Sequence, residues 1–211
     1  ANPCAGVPMP AKPRQRDRVL SEEEIRRVWK VLDDEGTPVA VSFKLRLLTA
    51  QRGVEVLTMR WSDIEGAWWT IPAEVAKNGR SHRVPLSAPA LALVEGLRAN
   101  ANGSPYLFPS PKRADAPISS VQKAVERLVE AAGLKFVAHD LRRTAASYMT
   151  SMGVTRLVVS KILNHVEQGV TAIYDRHSYD GEKREALDRW GDRLAEILGT
   201  DHGSDPLEPV T

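Results

Sequence analysis

Apolar residues recur at helical spacing along most of the chain. Between residues 22 and 33 they fall on one side of a helix, at Ile25, Val28, Trp29 and Leu32. Ser21 and Glu24 have the spacing of a capping box, and Leu20 and Ile25 that of a hydrophobic staple. These features predict a helix that starts sharply at Glu22.

The same periodicity predicts most of the remaining elements. Thr37 caps a second helix with Pro38 at its first position, and this helix ends near Ala50. Further helices are expected in six places: a short one through Leu57 and Met59, then 88–99, from Ser119 or Gln122 to Gly133, from about 138, 155–163, and 180–198.

The pattern changes to that of strands between Ser62 and Ser87. Trp68–Ile71 reads as one short strand, and Asn78-Gly79 is a hairpin turn that predicts strands at 74–77 and 80–86. Residues 100–117 are rich in Pro, Gly and Asn and are expected to form an irregular loop. The fold class is therefore mainly α with a small antiparallel β-sheet (α+β).

The pattern divides the chain into four parts. Residues 1–18 hold four prolines and predict an extended linker. Residues 19–179 are expected to form the core domain, 180–199 a C-terminal helix, and 200–211 a disordered tail. The C-terminal helix carries an apolar side that must dock on its own chain or on a neighbour, so it is a candidate for exchange between protomers. The start at Ala-Asn-Pro without Met leads us to expect a fragment.

The amino-acid composition excludes only a few classes of protein. The 211 residues are 42% hydrophobic, enough for one real core, and no apolar run is long enough to cross a membrane. Cys4 is the one cysteine, which excludes an internal disulfide and suits a reducing cytoplasm. A net charge of +2 is modest for a nucleic-acid binder, so charge alone does not support that function.

The chemistry is concentrated between Ala138 and His177. His139 and Arg142 stand three residues apart at a helix start, so an imidazole and a guanidinium share one face and can hold an oxyanion. His165 follows the next helix, and Tyr174 lies nine residues further on, on a separately positioned element. Taken singly, each histidine is more often structural and a tyrosine more often a packed aromatic.

Two earlier residues, Arg52 and Lys77, are also candidates for a chemical role. Arg52 sits at a junction between helices, where it either forms an internal ion pair with Glu55 or is oriented by Glu55 toward a phosphate. Lys77 stands beside the hairpin turn, followed by Arg80, His82 and Arg83. These residues form either a solvated basic surface or a finger that delivers a proton into a cleft.

Together these residues give the chain a specific resemblance. H-x-x-R at 139–142, Leu163-Asn164-His165 and Tyr174 resemble the signature of tyrosine recombinases of the phage integrase family, and Arg52 with Glu55 matches its earlier motif. The resemblance covers roughly 21–198. Asn164 and Ala50 stand where glycine is usual in that family.

The resemblance implies the tyrosine recombinase catalytic-domain fold and a site-specific DNA recombinase, or integrase. Arg52, Arg142 and His165 would clamp the phosphate, His139 would accept the proton of the nucleophile Tyr174, and Lys77 would protonate the leaving oxygen. No metal or other cofactor is implied. The implied partners are double-stranded DNA, further copies of the chain (a tetramer in the synaptic complex) and accessory DNA-bending proteins, in a bacterial or phage-encoded cytoplasmic setting. The separate DNA-grasping domain that precedes this region in the family is expected to be missing.

Other assignments stay open. Arg80 and Arg83 are candidates for contacts with the DNA backbone, and Arg143 for either that backbone or an internal acid, since it points about 100° away from Arg142. A helical DNA-binding or regulatory module without chemistry would use similar surfaces. A metal-dependent phosphohydrolase built on His139-Asp140 is the third alternative, although further ligands at suitable spacing are lacking.

Overall fold

A computed structural model describes residues 17–99, 101–165 and 177–199, and within these ranges the chain is mostly helical. Eight α-helices and five short strands occur in them. In chain order the helices are α1 (Glu22–Glu35), α2 (Pro38–Thr49), α3 (Gly53–Leu57), α4 (Ala88–Arg98), α5 (Gln122–Ala132), α6 (Ala138–Ser151), α7 (Arg156–Ile162) and α8 (Asp180–Leu198). The predicted class, mainly α with small antiparallel sheets, is confirmed.

The first two helices begin where the sequence predicts. The Ser21 hydroxyl accepts from the Glu24 N–H at 3.3 Å, while the Glu24 carboxylate accepts from the Ser21 N–H at 2.9 Å. The Thr37 hydroxyl accepts from the Ala40 N–H at 3.2 Å at the start of α2. Capping therefore fixes how the chain enters the helices that lead to Arg52.

A three-stranded antiparallel sheet follows α3. Its strands are β1 (Ile64–Glu65), β2 (Trp68–Ile71) and β3 (His82–Pro85), in the order β1-β2-β3. The expected strand at 74–77 is wrong. Ile71 pairs with His82, so residues 72–81 form the connecting loop, and the N–H groups of Val75 and Ala76 bond to the Pro72 carbonyl.

A second correction concerns the region 100–117, which was expected to be irregular. It contains a small hairpin of β4 (Pro109–Ser110) and β5 (Arg113–Pro117), with an irregularity in register between Pro109 and Ser110. Prolines at both paired ends lack the N–H that a regular ladder uses, which hides these strands from the sequence pattern.

Helix α2 forms the centre of the core. Phe43, Leu45, Leu47 and Leu48 are all buried, so α2 is covered on every side. The apolar side of α8 packs against it in the same chain, where the Trp190 indole N–H donates to the Leu47 carbonyl at 2.9 Å. The exchange of α8 between protomers stays a prediction, as does the four-part division of the chain.

The ends of the chain lie largely outside the described residues. The predicted linker is described only from Asp17 onward and the predicted tail not at all. Across the part that is described, no helix combines the length and apolar character needed to span a membrane.

Candidate active site

Arg142 occupies the centre of the site. Its side chain extends from α6 and is buried, with 4% of the residue exposed. Nη1 donates to the Ala50 carbonyl and Nη2 to the Leu163 carbonyl, both at 2.5 Å. Because Ala50 lies two residues before Arg52 and Leu163 two residues before His165, one guanidinium joins the two junctions that carry these residues.

The start of α6 orients His139 and Arg142. Asp140 is fully buried, and its carboxylate accepts from the Val137 N–H at 2.9 Å, which caps the helix. The same carboxylate pairs with Arg143 at 2.7 Å. Of the two alternatives for Arg143, the internal acid is therefore the contact seen in the structure.

Arg52 precedes α3 and is held by Glu55. The Arg52 N–H donates to one carboxylate oxygen of Glu55 at 3.0 Å, and Nη1 donates to the other at 2.9 Å. The Glu55 side chain is 2% exposed and that of Arg52 is 22% exposed. A buried acid thus fixes the guanidinium and leaves part of it accessible to an anion.

His165 follows the C-terminal end of α7, where two carbonyls accept three side-chain donors. Ile162 O accepts from Gln51 at 2.9 Å and from His82 at 3.0 Å, and Leu163 O accepts from Arg142. These bonds satisfy groups that a helix end otherwise leaves unpaired. They also fix the backbone immediately before His165.

Ala50 and Asn164 share a backbone conformation. Their φ angles are +56° and +49°, in the left-handed region. That region favours glycine, which accounts for the residue usual at both places in the family. The backbone keeps this geometry even though neither residue is glycine.

Four of the predicted residues influence one another's charge states. Partial burial first, then the charges of Arg143 and Arg142, lower the pKa of His139. Burial followed by Arg142 and Arg52 lowers the pKa of His165. Burial, with Arg52 nearby, lowers the pKa of Arg142 to about 10. At neutral pH both imidazoles are therefore uncharged while Arg142 remains a cation.

The loop that carries Lys77 is attached to the same region. The Asn78 amide donates to the Asn164 side-chain oxygen at 2.8 Å and to its carbonyl at 3.1 Å. Lys77 itself is exposed and lies in a turn. The contact places the loop next to the residue that precedes His165.

Some predicted residues are not part of this cluster. Arg83 pairs with Asp180 at 2.9 Å and stacks on Trp68 at 4.1 Å from the ring centre, which links β3 to α8. Arg80 is exposed in the Lys77 loop. Tyr174 lies outside the described residues, so its position as nucleophile rests on sequence.

Two residues near the site have a position that the sequence analysis did not predict. The sequence groups His82 with the basic residues after Lys77, on a solvated surface or a finger. His82 is buried, and burial, with Lys183 as the next cause, lowers its pKa to about 4. The strand alternation that places Ile71 and Val84 inside could have identified it. Arg46 is buried on α2 between Leu45 and Leu47, and a charge inside an otherwise apolar helix was the available signal.

A cavity of about 360 Å³ lies beside the cluster. His139 and Arg142 form one part of its wall, and the remainder includes Arg46, Gly53, Ser119, Ser120 and Gln122. Within the described ranges, no group of three or more His, Cys, Asp or Glu side chains is arranged to hold a metal ion.

Comparison with known proteins gives close relatives. The prophage integrase IntA of Escherichia coli K12 is 33% identical over 167 residues, covering 77% of this chain and 39% of that protein. IntZ of the same strain is 30% identical, covering 99% of this chain and 52% of that protein. The chain thus spans about half or less of the length of these two relatives.

Comparison with solved structures also finds an integrase. A lambda integrase tetramer bound to a Holliday junction matches with a TM-score of 0.59 at 22% identity, over 81% of this chain and 51% of that one. This likeness supports the predicted catalytic-domain fold. Residues 18–180 match the Phage integrase family as a whole, and the chain belongs to that family.

Proposed function

We propose that the chain is the catalytic domain of a site-specific DNA recombinase, which cleaves and rejoins DNA through a 3'-phosphotyrosyl intermediate. The observation that carries the proposal is the double contact of Arg142 with the Ala50 and Leu163 carbonyls. It ties the backbone just before Arg52 and the backbone just before His165 to one guanidinium, which supports a clamp of these three residues around a single phosphate.

The clamp has a clear chemical task. Phosphoryl transfer depends mainly on positioning and on neutralising the nonbridging oxygens. Arg52 and Arg142 supply two planar donors, and His165, uncharged at neutral pH, supplies a single N–H. Glu55 keeps the Arg52 fork aligned.

Cleavage exchanges one phosphodiester bond for another. The Tyr174 oxygen attacks phosphorus and forms a phosphotyrosyl bond, while the bond from phosphorus to the 5'-oxygen breaks. The phenol proton passes to His139, whose lowered pKa keeps it able to accept. Lys77 gives a proton to the 5'-oxygen, which leaves as a hydroxyl.

Rejoining is the reverse of cleavage. A 5'-hydroxyl from the same or another strand attacks the phosphotyrosine and releases Tyr174. The bond energy is conserved in the intermediate, so the reaction needs no nucleotide cofactor, and no metal has a role in it.

The partners follow from this chemistry. The substrate is double-stranded DNA. Exchange between two duplexes needs several copies of the chain, which form a tetramer in the synaptic complex. The lambda integrase tetramer on a Holliday junction is a related protein in such an arrangement. Accessory DNA-bending proteins would assist assembly, and the setting is the bacterial cytoplasm.

A nicked suicide duplex tests the proposal. Its cleavage releases a short strand, so the covalent adduct accumulates and can be mapped by mass spectrometry. The adduct is expected at Tyr174, to form in EDTA and to be lost in Tyr174→Phe. Tyr179→Phe is the matched control, because it keeps the ring that Lys161 contacts at 4.7 Å and should leave the adduct unchanged.

Two results would contradict the proposal. Binding of DNA without an adduct indicates a binding or regulatory module. Release of phosphate that requires a metal indicates a phosphohydrolase.

A further inference from the structure

Arg46 is a buried cation next to the clamp. It is 4% exposed, and its guanidinium lies close to two groups. The Phe43 ring centre is 4.9 Å from its Cζ. The Gly53 backbone lies so close that a Cβ at Gly53 would be 2.7 Å from Cζ.

The polar atoms of Arg46 are poorly satisfied. Nη2 is 3.4 Å from the Gly53 carbonyl, a long hydrogen bond, and the buried Nε has no partner. Within residues 17–99, 101–165 and 177–199, no carboxylate forms an ion pair with Arg46. By contrast, Arg52 and Arg143 each pair with a buried acid.

Such a residue is costly for the fold. Burial alone lowers the pKa of Arg46 to about 10, so it is still charged at neutral pH. A buried charge without a partner destabilises a protein unless an anion meets it. An anion from outside the described fold would offset this cost.

The surroundings of Arg46 suit an anion. Arg46 lines the cavity of about 360 Å³ whose wall also includes His139 and Arg142. The exposed Ser119 and Ser120, just before α5, also line this cavity. The first turn of α5 holds no acidic residue, so its N–H groups add positive potential.

Arg46 and Arg142 reach the cavity from different elements. Arg46 extends from α2 and its guanidinium lies against Gly53, whereas Arg142 extends from α6 and bonds to the Ala50 and Leu163 carbonyls. Each DNA strand carries a phosphate about every 3.4 Å of helix axis, so a strand seated in the clamp brings further phosphates to the adjoining cavity.

We propose that Arg46 binds a second phosphate of the DNA backbone, next to the one held by Arg52, Arg142 and His165. Ser119 and Ser120 provide further donors in the cavity wall. The inference rests on the proposed function, and it adds a positioning contact that fixes the register of the strand.

The test uses duplexes in which one phosphate at a time is replaced by an uncharged methylphosphonate. With the wild-type chain, neutralising one linkage near the scissile phosphate is expected to weaken binding about tenfold, because a charge-assisted contact is lost. In Arg46→Met, neutralising that same linkage should no longer weaken binding. The slope of log affinity against log salt should also fall by about 1.

Controls separate this contact from folding. Arg46→Gln is a second uncharged variant, and urea unfolding reports whether either variant folds. Arg27→Met is the matched control, since Arg27 is an exposed arginine on α1 paired with Glu23, and its methylphosphonate profile should equal the wild type.

Several outcomes overturn the inference. One is a wild-type chain whose binding is weakened by a methylphosphonate only at the scissile linkage. This result contradicts the inference even if both Arg46 variants unfold. Another is an identical profile and salt slope in Arg46→Met, as expected if Arg46 meets an acid of its own chain. The suicide duplex keeps the two proposals apart, because a wild-type adduct at Tyr174 upholds the proposed function whatever happens at Arg46.

Discussion

The Asn78 amide donates to both the side-chain oxygen and the carbonyl of Asn164, at 2.8 Å and 3.1 Å. Asn164 has a φ of +49°, where glycine is the unstrained choice. Asparagine tolerates this conformation, and its side chain reaches the Lys77 loop, which glycine cannot do. The contact therefore couples the loop of the proposed acid to the backbone of His165.

We expect Asn164→Gly to slow cleavage about tenfold, since the two side-chain hydrogen bonds with Asn78 that position the Lys77 loop are lost while the backbone stays favourable. A substrate with sulfur in place of the 5'-oxygen should restore the rate. A thiolate leaves without a proton, because a thiol has a pKa of about 8.5. Single-turnover cleavage of both substrates measures the effect.

Asn78→Ala provides the other half of a double-mutant cycle. If the two residues act through their mutual contact, the double variant should be little slower than either single variant. Equal slowing of the oxygen and sulfur substrates would contradict a role for the contact in positioning the acid.

Arg142→Lys is expected to lower the rate about a hundredfold, the usual cost of one lost oxyanion donor. A lysine head cannot replace a fork that contacts two carbonyls and a phosphate together. The free energy of unfolding should also fall by about 2 kcal/mol. Single-turnover cleavage and urea unfolding measure the two effects.

Arg189→Lys is the matched control for Arg142→Lys. Arg189 also donates to a carbonyl, that of Met152, at 2.6 Å, but on an exposed surface outside the clamp. Its cleavage rate should equal the wild type. A normal rate in Arg142→Lys would remove Arg142 from the clamp.

Local signals in the sequence predict much of this site. Helix starts follow from Ser21 and Thr37, because capping depends on residues only a few positions apart. The pairing of Arg52 with Glu55 follows for the same reason. The spacing of His139 and Arg142 places both on one face of α6.

Long-range contacts escape the sequence pattern. No local rule indicates that Arg142 contacts carbonyls 92 and 21 residues away, or that Asn78 meets Asn164. The hairpin was misplaced for the same reason. Asn78-Gly79 does form a turn, with Gly79 at φ +69°, but Ile71 and His82 close the strands outside it.

The pH dependence of cleavage should reflect His139. The pKa of His139 is lowered from the usual 6.5. Protonation of this base, and the loss of activity that follows, should therefore need a more acidic solution than for an ordinary histidine. Arg143→Gln removes a positive charge that lowers this pKa and should move the acid limb to higher pH. Single-turnover rates and an NMR titration of His139 measure the shift.

Arg143→Lys keeps the charge and separates electrostatics from the loss of the Asp140 contact. Its acid limb should stay close to that of the wild type. An unchanged limb in Arg143→Gln would show that His139 is not the group whose protonation limits the reaction.

The last prediction concerns stability and His82. Burial and Lys183, with a smaller effect of Arg142, lower its pKa to about 4 against the contact with Ile162 and the charge of Glu55. The folded state therefore resists protonation. Its contribution is fully present above pH 6.5 and is lost as pH falls toward 4, by about 3 kcal/mol in total. Urea unfolding between pH 4 and 7.5 measures this loss.

His82→Gln keeps a donor for the Ile162 carbonyl but cannot take up a proton. The variant should therefore lose about 3 kcal/mol less stability than the wild type over this range. Its stability should still decline with acid, because the paired carboxylates titrate in both proteins. Parallel curves would show that His82 is protonated in the folded chain as easily as in the unfolded one, which its burial against Ile162 argues against.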